Sequence, residues 1–178
     1  FVVIQAGTRV METRNIGSFE SPVRIVNELP PEIQIPQMIK ICNKYGIFMK
    51  EHNADYLSTE SLQWQPRLGI HAANIAPEFG VGETRSFLDI LQQNNEMVLY
   101  EEFLKISYDS MKWKKWMLKD TDASDFDRAI IAGHYVFSTK EFIELKAKAS
   151  SKINNLDEYL KNKVKGSILR YMQAFNLT

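Results

Sequence analysis

The sequence predicts an α/β fold, with about three parallel strands alternating with helices and an all-helical region following them. Three observations predict it: short continuous apolar runs, apolar residues at helical spacing between and after those runs, and no further strand-like run beyond about residue 95. The runs are continuous rather than alternating, as expected of parallel strands covered on both faces.

Residues 1–10 form the first expected strand, opening on Phe1-Val2-Val3-Ile4. Leu29-Pro30-Pro31-Glu32 reads as a loop entering a helix over 34–45, and the second strand spans 46–51. A short helix after Ser58 leads to a third strand over 68–73. Val81, Thr84, Phe87, Leu88 and Leu91 then recur at helical spacing and predict a helix over 81–93. Further helices are expected over 97–118, 124–132, 138–152 and 155–175. Ser138 with Glu141 and Asn155 with Glu158 have capping-box spacing at the last two starts. The pattern turns from βα units over 1–95 to a helical C-terminal extension over 96–178, expected to pack on them as one continuous unit.

The 178 residues carry 22 basic and 22 acidic side chains, so no net charge draws the chain to nucleic acid or an anionic membrane. No stretch approaches the roughly 18 uninterrupted apolar residues of a membrane span. The single cysteine, Cys42, excludes an intrachain disulfide or a multi-cysteine metal site and suits a reducing compartment, so the cytoplasm is expected. The apolar opening reads as an interrupted strand. It implies that the chain is the C-terminal portion of a longer protein whose N-terminal half covers that edge.

Ligands of parallel α/β folds sit at the carboxyl ends of the strands, where loops and helix starts present free N–H groups. Here those ends carry Gln5, Gly7, Arg9, Glu12 and Asn15, then Glu51-His52-Asn53-Ala54-Asp55-Tyr56, then His71, Asn74 and Glu78. An imidazole with a nearby carboxylate can ligate a divalent metal or move a proton at a sugar carbon, which makes His52, Asp55 and Glu51 the candidate catalytic residues. The plainer alternative is a loop histidine and an aspartate capping a turn. Gly80-Val81-Gly82 with Arg85 has the makings of a phosphate cradle at a helix start, or is a plain strand-to-helix turn. Lys112-Trp113-Lys114-Lys115-Trp116 interleaves bases and aromatics, but its spacing favours an amphipathic core helix over a nucleic-acid surface. His134 reads as a structural histidine at a helix end.

Together, Val-Ile-Gln-Ala-Gly in the first strand, Asn15-Ile16, Glu51 to Tyr56, Trp113-Lys114-Lys115-Trp116, Asp127-Arg128 and Ile168-Leu169-Arg170-Tyr171 resemble the class II D-tagatose-bisphosphate aldolase non-catalytic subunit family. The resemblance implies the last three strands of a (β/α)8 TIM barrel with a helical C-terminal extension. Such a barrel takes roughly 250 residues, more than this chain has. It implies a carbohydrate-metabolism protein that acts on ketose or ketose-phosphate sugars or supports their processing. The open alternatives are a metal-dependent ketose 4-epimerase and a structural scaffold for a separate catalytic aldolase subunit, so lyase, isomerase and accessory roles all remain. Gln5 and Gly7 match the family's sixth strand, Asn15 the loop that follows, and His52, Asp55 and Tyr56 the His-x-x-Asp-Tyr after the seventh. The substrate-binding set is Gln5, Arg9, Asn15, Tyr56, Asn74, Gly80, Gly82 and Arg85, and His52 is the ligand for a divalent metal, zinc foremost.

Overall fold

The computed structural model describes residues 1–17 and 29–178. The chain is mixed α/β and mostly helical, with a small parallel sheet near its start. That sheet comprises β1 (Val2–Ile4), β4 (Met49–Glu51) and β5 (Ala72–Ala73), in the spatial order β1-β4-β5. Ile4 lies opposite Glu51, and Glu51 opposite Ala73.

The strands are shorter than their apolar runs, for local reasons. β1 ends because the chain turns at Gly7 (φ 115°), and the Ala6 N–H donates to the Glu51 carboxylate instead of to a strand neighbour. Of the remainder of the expected first strand only Val10 is extended, in an antiparallel pair absent from the sequence expectation, β2 (Val10–Met11) with β3 (Arg14–Asn15). β4 starts three residues late because Gly46 adopts the left-handed conformation that closes helix α1 (Pro31–Tyr45). β5 starts late because Leu68, Gly69 and Ile70 donate back to carbonyls of α2 (Thr59–Arg67). α1 begins at Pro31, three residues earlier than its periodicity suggests. Proline costs little there because a first-turn N–H has no intrahelical partner.

Two compact units emerge, Phe1–Glu78 with Leu169–Thr178, and Phe79–Ile168. They divide the chain elsewhere than the expected boundary at 95. In the first unit, Met49 and Ile4 on one face of the sheet pack with Ala6, Ile35, Ile70 and the buried thiol of Cys42, which is 2% exposed.

The second unit is helical. α3 (Pro77–Gln93) is followed by α4 (Met97–Asp109), α5 (Asp125–Ala132), α6 (Lys140–Lys152) and α7 (Leu156–Ala174). The first turn of α3 and the end of α7 count with the first unit. Phe87, Phe103 and Phe142 form its centre, Phe87 meeting Phe103 edge-on with ring centroids 5.1 Å apart. Such pairing adds about 0.5–1.5 kcal/mol beyond area burial.

The expected helix over 97–118 breaks after Asp109, and Lys114–Trp116 form a single 3-10 turn. Met111 is left-handed there (φ 57°), and the indole N–H groups of Trp113 and Trp116 donate to the Tyr108 carbonyl and the Tyr135 hydroxyl. α5 carries a full capping box between Ser124 and Asp127. The cap of α6 is Thr139, accepting from Phe142 N–H, rather than the Ser138–Glu141 pair. Asn155 takes a left-handed turn (φ 58°) ahead of α7 in place of a capping box.

Candidate functional site at the strand tips

Gln5, His52, Asn53, Asp55, Tyr56 and Asn74 all follow the carboxyl ends of the three parallel strands. The register of Ile4 opposite Glu51 brings Gln5 level with His52, and the His52 N–H donates to the Ile4 carbonyl (2.9 Å). Both side chains are exposed. The Gln5 amide donates to the Thr8 carbonyl (2.8 Å), and the His52 Nδ1 lies 3.2 Å from the Asn53 amide nitrogen.

Glu51 and Asp55 are only 1% exposed, and each anchors a loop. Glu51 Oε1 accepts from Ala6 N–H (3.0 Å) and from the Thr8 hydroxyl (2.7 Å), fixing the loop after β1. Asp55 Oδ1 accepts from Ala76 N–H and Glu78 N–H (2.9 Å each), capping the start of α3. The other oxygens, Glu51 Oε2 and Asp55 Oδ2, are buried without a hydrogen-bond partner among the described residues. Burial pushes both carboxyl groups above their ordinary pKa values against the pull of those hydrogen bonds, and the Glu78 charge pushes Asp55 further. The two expected catalytic carboxylates are therefore buried in this structure, and Asp55 caps the start of α3.

Asn15 ties the loops together from β3. Its amide donates to the carbonyls of Asn53 (2.8 Å) and Asp55 (3.0 Å), while its Oδ1 accepts from Arg9 N–H (3.0 Å). Asn74 continues the sheet pattern, donating to the Glu51 carbonyl and accepting from Ala54 N–H. Asn53 and Tyr56 are left-handed at φ 64° and 61°, a conformation that is uncommon outside glycine and least comfortable for a bulky side chain.

Several contributors lie outside the expected catalytic and substrate-binding sets, Glu78 among them although the sequence places it at the third strand's end. Glu78 accepts from Tyr56 N–H, from the Tyr171 hydroxyl and from Arg170 (Nη1 to Oε1, 3.2 Å); Arg170 also donates to the Leu57 carbonyl. Burial first, then the bond to Glu78, raises the Tyr171 phenol far above its ordinary value, so it stays a neutral donor. Thr8 bridges Glu51 and the His52 carbonyl. Arg170 and Tyr171 sit in a helix whose apolar stripe gave no sign of this role, and the polar residues 170 and 78 lie far apart in the chain.

Gly80, Gly82 and Arg85 lie in the second unit, inside α3 rather than at a turn before it. Pro77 starts that helix, so the N–H groups of Gly80 and Gly82 fall beyond its first turn, where helical bonding uses them. Gly80 instead makes room for His134: a Cβ on it would stand 2.5 Å from the imidazole Cγ. Gly133 likewise admits Thr84, whose Cγ2 would lie 2.3 Å from an added Cβ. Arg85 is exposed. Among the described residues no three His, Cys, Asp or Glu side chains come together as a metal centre. No protein-family model, curated protein or solved structure matches the chain.

Proposed function

We propose that the chain is the C-terminal part of a (β/α)8 barrel that supports the processing of ketose or ketose-phosphate sugars, in the manner of the D-tagatose-bisphosphate aldolase non-catalytic subunits its motifs resemble. The observation that carries the reading is the braced polar surface at the strand tips. Gln5 and His52 are exposed side by side, on loops held by the buried carboxyl groups of Glu51 and Asp55. Barrel ligands bind at that end. A second support is that the spatial order β1-β4-β5 follows the order in the chain, as strands do around a singly wound barrel. β1 is an edge strand, and its Val3 is 55% exposed, which fits further parts of the same protein pairing with it and covering it.

An accessory role, with a separate aldolase subunit as partner, is favoured over catalysis by this chain's own carboxylates, because Glu51 and Asp55 are buried and committed to loop bonds. In a metal-dependent epimerase, His52 would supply one ligand and the remaining ligands would come from other parts of the protein.

Calorimetric titration of the purified protein with D-tagatose 1,6-bisphosphate, D-fructose 1,6-bisphosphate and free D-tagatose, with and without zinc, tests the reading. Saturable binding of a ketose phosphate that His52→Ala and Gln5→Ala each weaken is the expected outcome. Heat of dilution alone for all three sugars, in either condition, rejects it. Adding a catalytic aldolase subunit then separates roles: turnover only in the mixture supports the accessory reading, and turnover by the protein alone with zinc supports the epimerase or aldolase.

A further inference from the structure

We infer that Tyr171 and Arg170, near the end of the C-terminal helix, are positioning residues for the strand-tip site, acting through Glu78 to hold the loop after β4 in its bent form. The inference builds on the sugar-binding reading only where it concerns affinity.

The loop from His52 to Leu57 includes two non-glycine residues at positive φ, Asn53 and Tyr56. Such a backbone persists only where its surroundings over-determine it. Asn15 holds the two ends of the Asn53–Asp55 stretch by donating to their carbonyls, which leaves residues 56 and 57 to be fixed by other groups. Those groups are Glu78, 22 residues beyond Tyr56, and Arg170, 113 residues beyond Leu57. The Tyr56 N–H donates to Glu78 Oε2, the oxygen that also receives the Tyr171 hydroxyl, and Arg170 spans Glu78 Oε1 and the Leu57 carbonyl. Glu78 is itself fixed by this loop, because its own N–H donates to Asp55 Oδ1.

The bonds form a closed circuit: Asp55 carboxyl, Glu78 backbone, Glu78 carboxylate, Tyr56 backbone. Arg170 and Tyr171 occupy the oxygens that Glu78 would otherwise turn toward water. Tyr171 is 3% exposed, so water does not readily replace its hydroxyl. Hydrogen bonds to a charged acceptor in such surroundings are stronger than neutral ones. Loss of the phenol hydroxyl frees one side of Glu78, lets the Tyr56 N–H open, and releases the strained turn that carries His52 at its start.

The test uses the whole protein with Tyr171→Phe, which keeps the ring, and Arg170→Lys, which keeps a cation but loses the second donor arm; Tyr45→Phe, an exposed tyrosine of the same unit, is the control. Amide hydrogen exchange is followed by NMR, together with the binding of D-tagatose 1,6-bisphosphate. In Tyr171→Phe with native circular dichroism, the Tyr56 and Leu57 amides are expected to exchange about tenfold faster while those of α1 are unchanged. D-tagatose 1,6-bisphosphate should bind several-fold more weakly. Loop exchange within twofold of wild type in both folded variants overturns the inference. If Tyr171→Phe fails to fold, Arg170→Lys decides by the same two exchange rates. Wild type that binds no sugar rejects the proposed function, while the exchange rates still decide the clamp.

Discussion

Glu51 in the first compact unit and His134 in the second are both ionisable groups withdrawn from water, and burial drives their pKa values in opposite directions. For the carboxyl group the neutral form is the protonated one, so its pKa rises above the ordinary 4.5; for the imidazole the neutral form is the deprotonated one, so its pKa falls from 6.5 to about 4, with the Lys115 charge assisting. The stability of the two units should therefore run oppositely with pH. In the first, the folded form keeps protons on Glu51 and Asp55 that the unfolded chain releases as pH rises above its ordinary carboxyl values, so stability falls as pH climbs through that window. In the second, the unfolded chain takes up a proton at His134 between pH 6.5 and about 4 that the folded form refuses, so stability is lost as pH falls through that range. Polar groups in this molecule are buried for two different purposes. Glu51 and Asp55 organise loops through hydrogen bonds, whereas His134 fills space opposite a glycine, its Nδ1 without a partner among the described residues.

The largest expected effect tests the aromatic side of that contrast. Phe103→Ala empties the centre of the second unit, where Phe103 is fully buried against Phe87 and Phe142, and should cost about 3–5 kcal/mol. Denaturant unfolding followed by exchange at α4 and α6 amides measures it; a loss below about 1 kcal/mol would mean that the cluster does not hold this unit.

The next effect tests the polar side. Glu51→Ala leaves the Ala6 N–H and the Thr8 hydroxyl without their shared acceptor and should cost about 2–4 kcal/mol, read from exchange in the first unit. Glu51→Gln keeps an acceptor oxygen and has no charge to desolvate. It should be close to neutral at pH 7 and flatten the fall in stability with rising pH, a pairing that a merely space-filling glutamate would not produce.

A smaller effect is expected at the helix contact. Gly80→Ala drives a methyl group into the His134 ring and should cost about 1–3 kcal/mol. His134→Ala in the same background should recover part of that loss, and His134→Ala alone should remove the acid-side slope of the second unit. Additive costs in the double variant would show that the glycine and the histidine do not meet.

The order of elements and the crowding of polar residues at the strand tips were legible because both rest on local signals: apolar runs for β1, β4 and β5, and the dense stretch from Glu51 to Tyr56. The functions of those residues were less so. The Glu51–Thr8 bond joins residues 43 apart, and nothing in Gly-Thr-Arg marks Thr8 as its donor. Glu78, Arg170 and Tyr171 meet across 92 and 93 residues, beyond any periodicity. The glycines Gly80 and Gly82 lie inside a helix rather than at the expected turn for a visible reason. Ala-Pro-Glu at 76–78 is itself a helix start, with proline at the first position and an acid in the first turn, so the glycines fall inside α3. The expected helix through Trp113 and Trp116 matched helical spacing over one turn only, too little to outweigh two indole N–H groups seeking acceptors.

Cys42 gives the first unit a built-in clock. It is the only thiol in the chain and is packed among Ala6, Ile35, Met49 and Ile70, so a thiol reagent can reach it only after that core has opened. When reclosing outpaces alkylation, the labelling rate reports the fraction of time the core spends open; when reagent is in excess and alkylation outpaces reclosing, it reports the opening rate itself. One side chain thus converts a packing contact into a time, and with no second cysteine to exchange with, the signal comes from a single event.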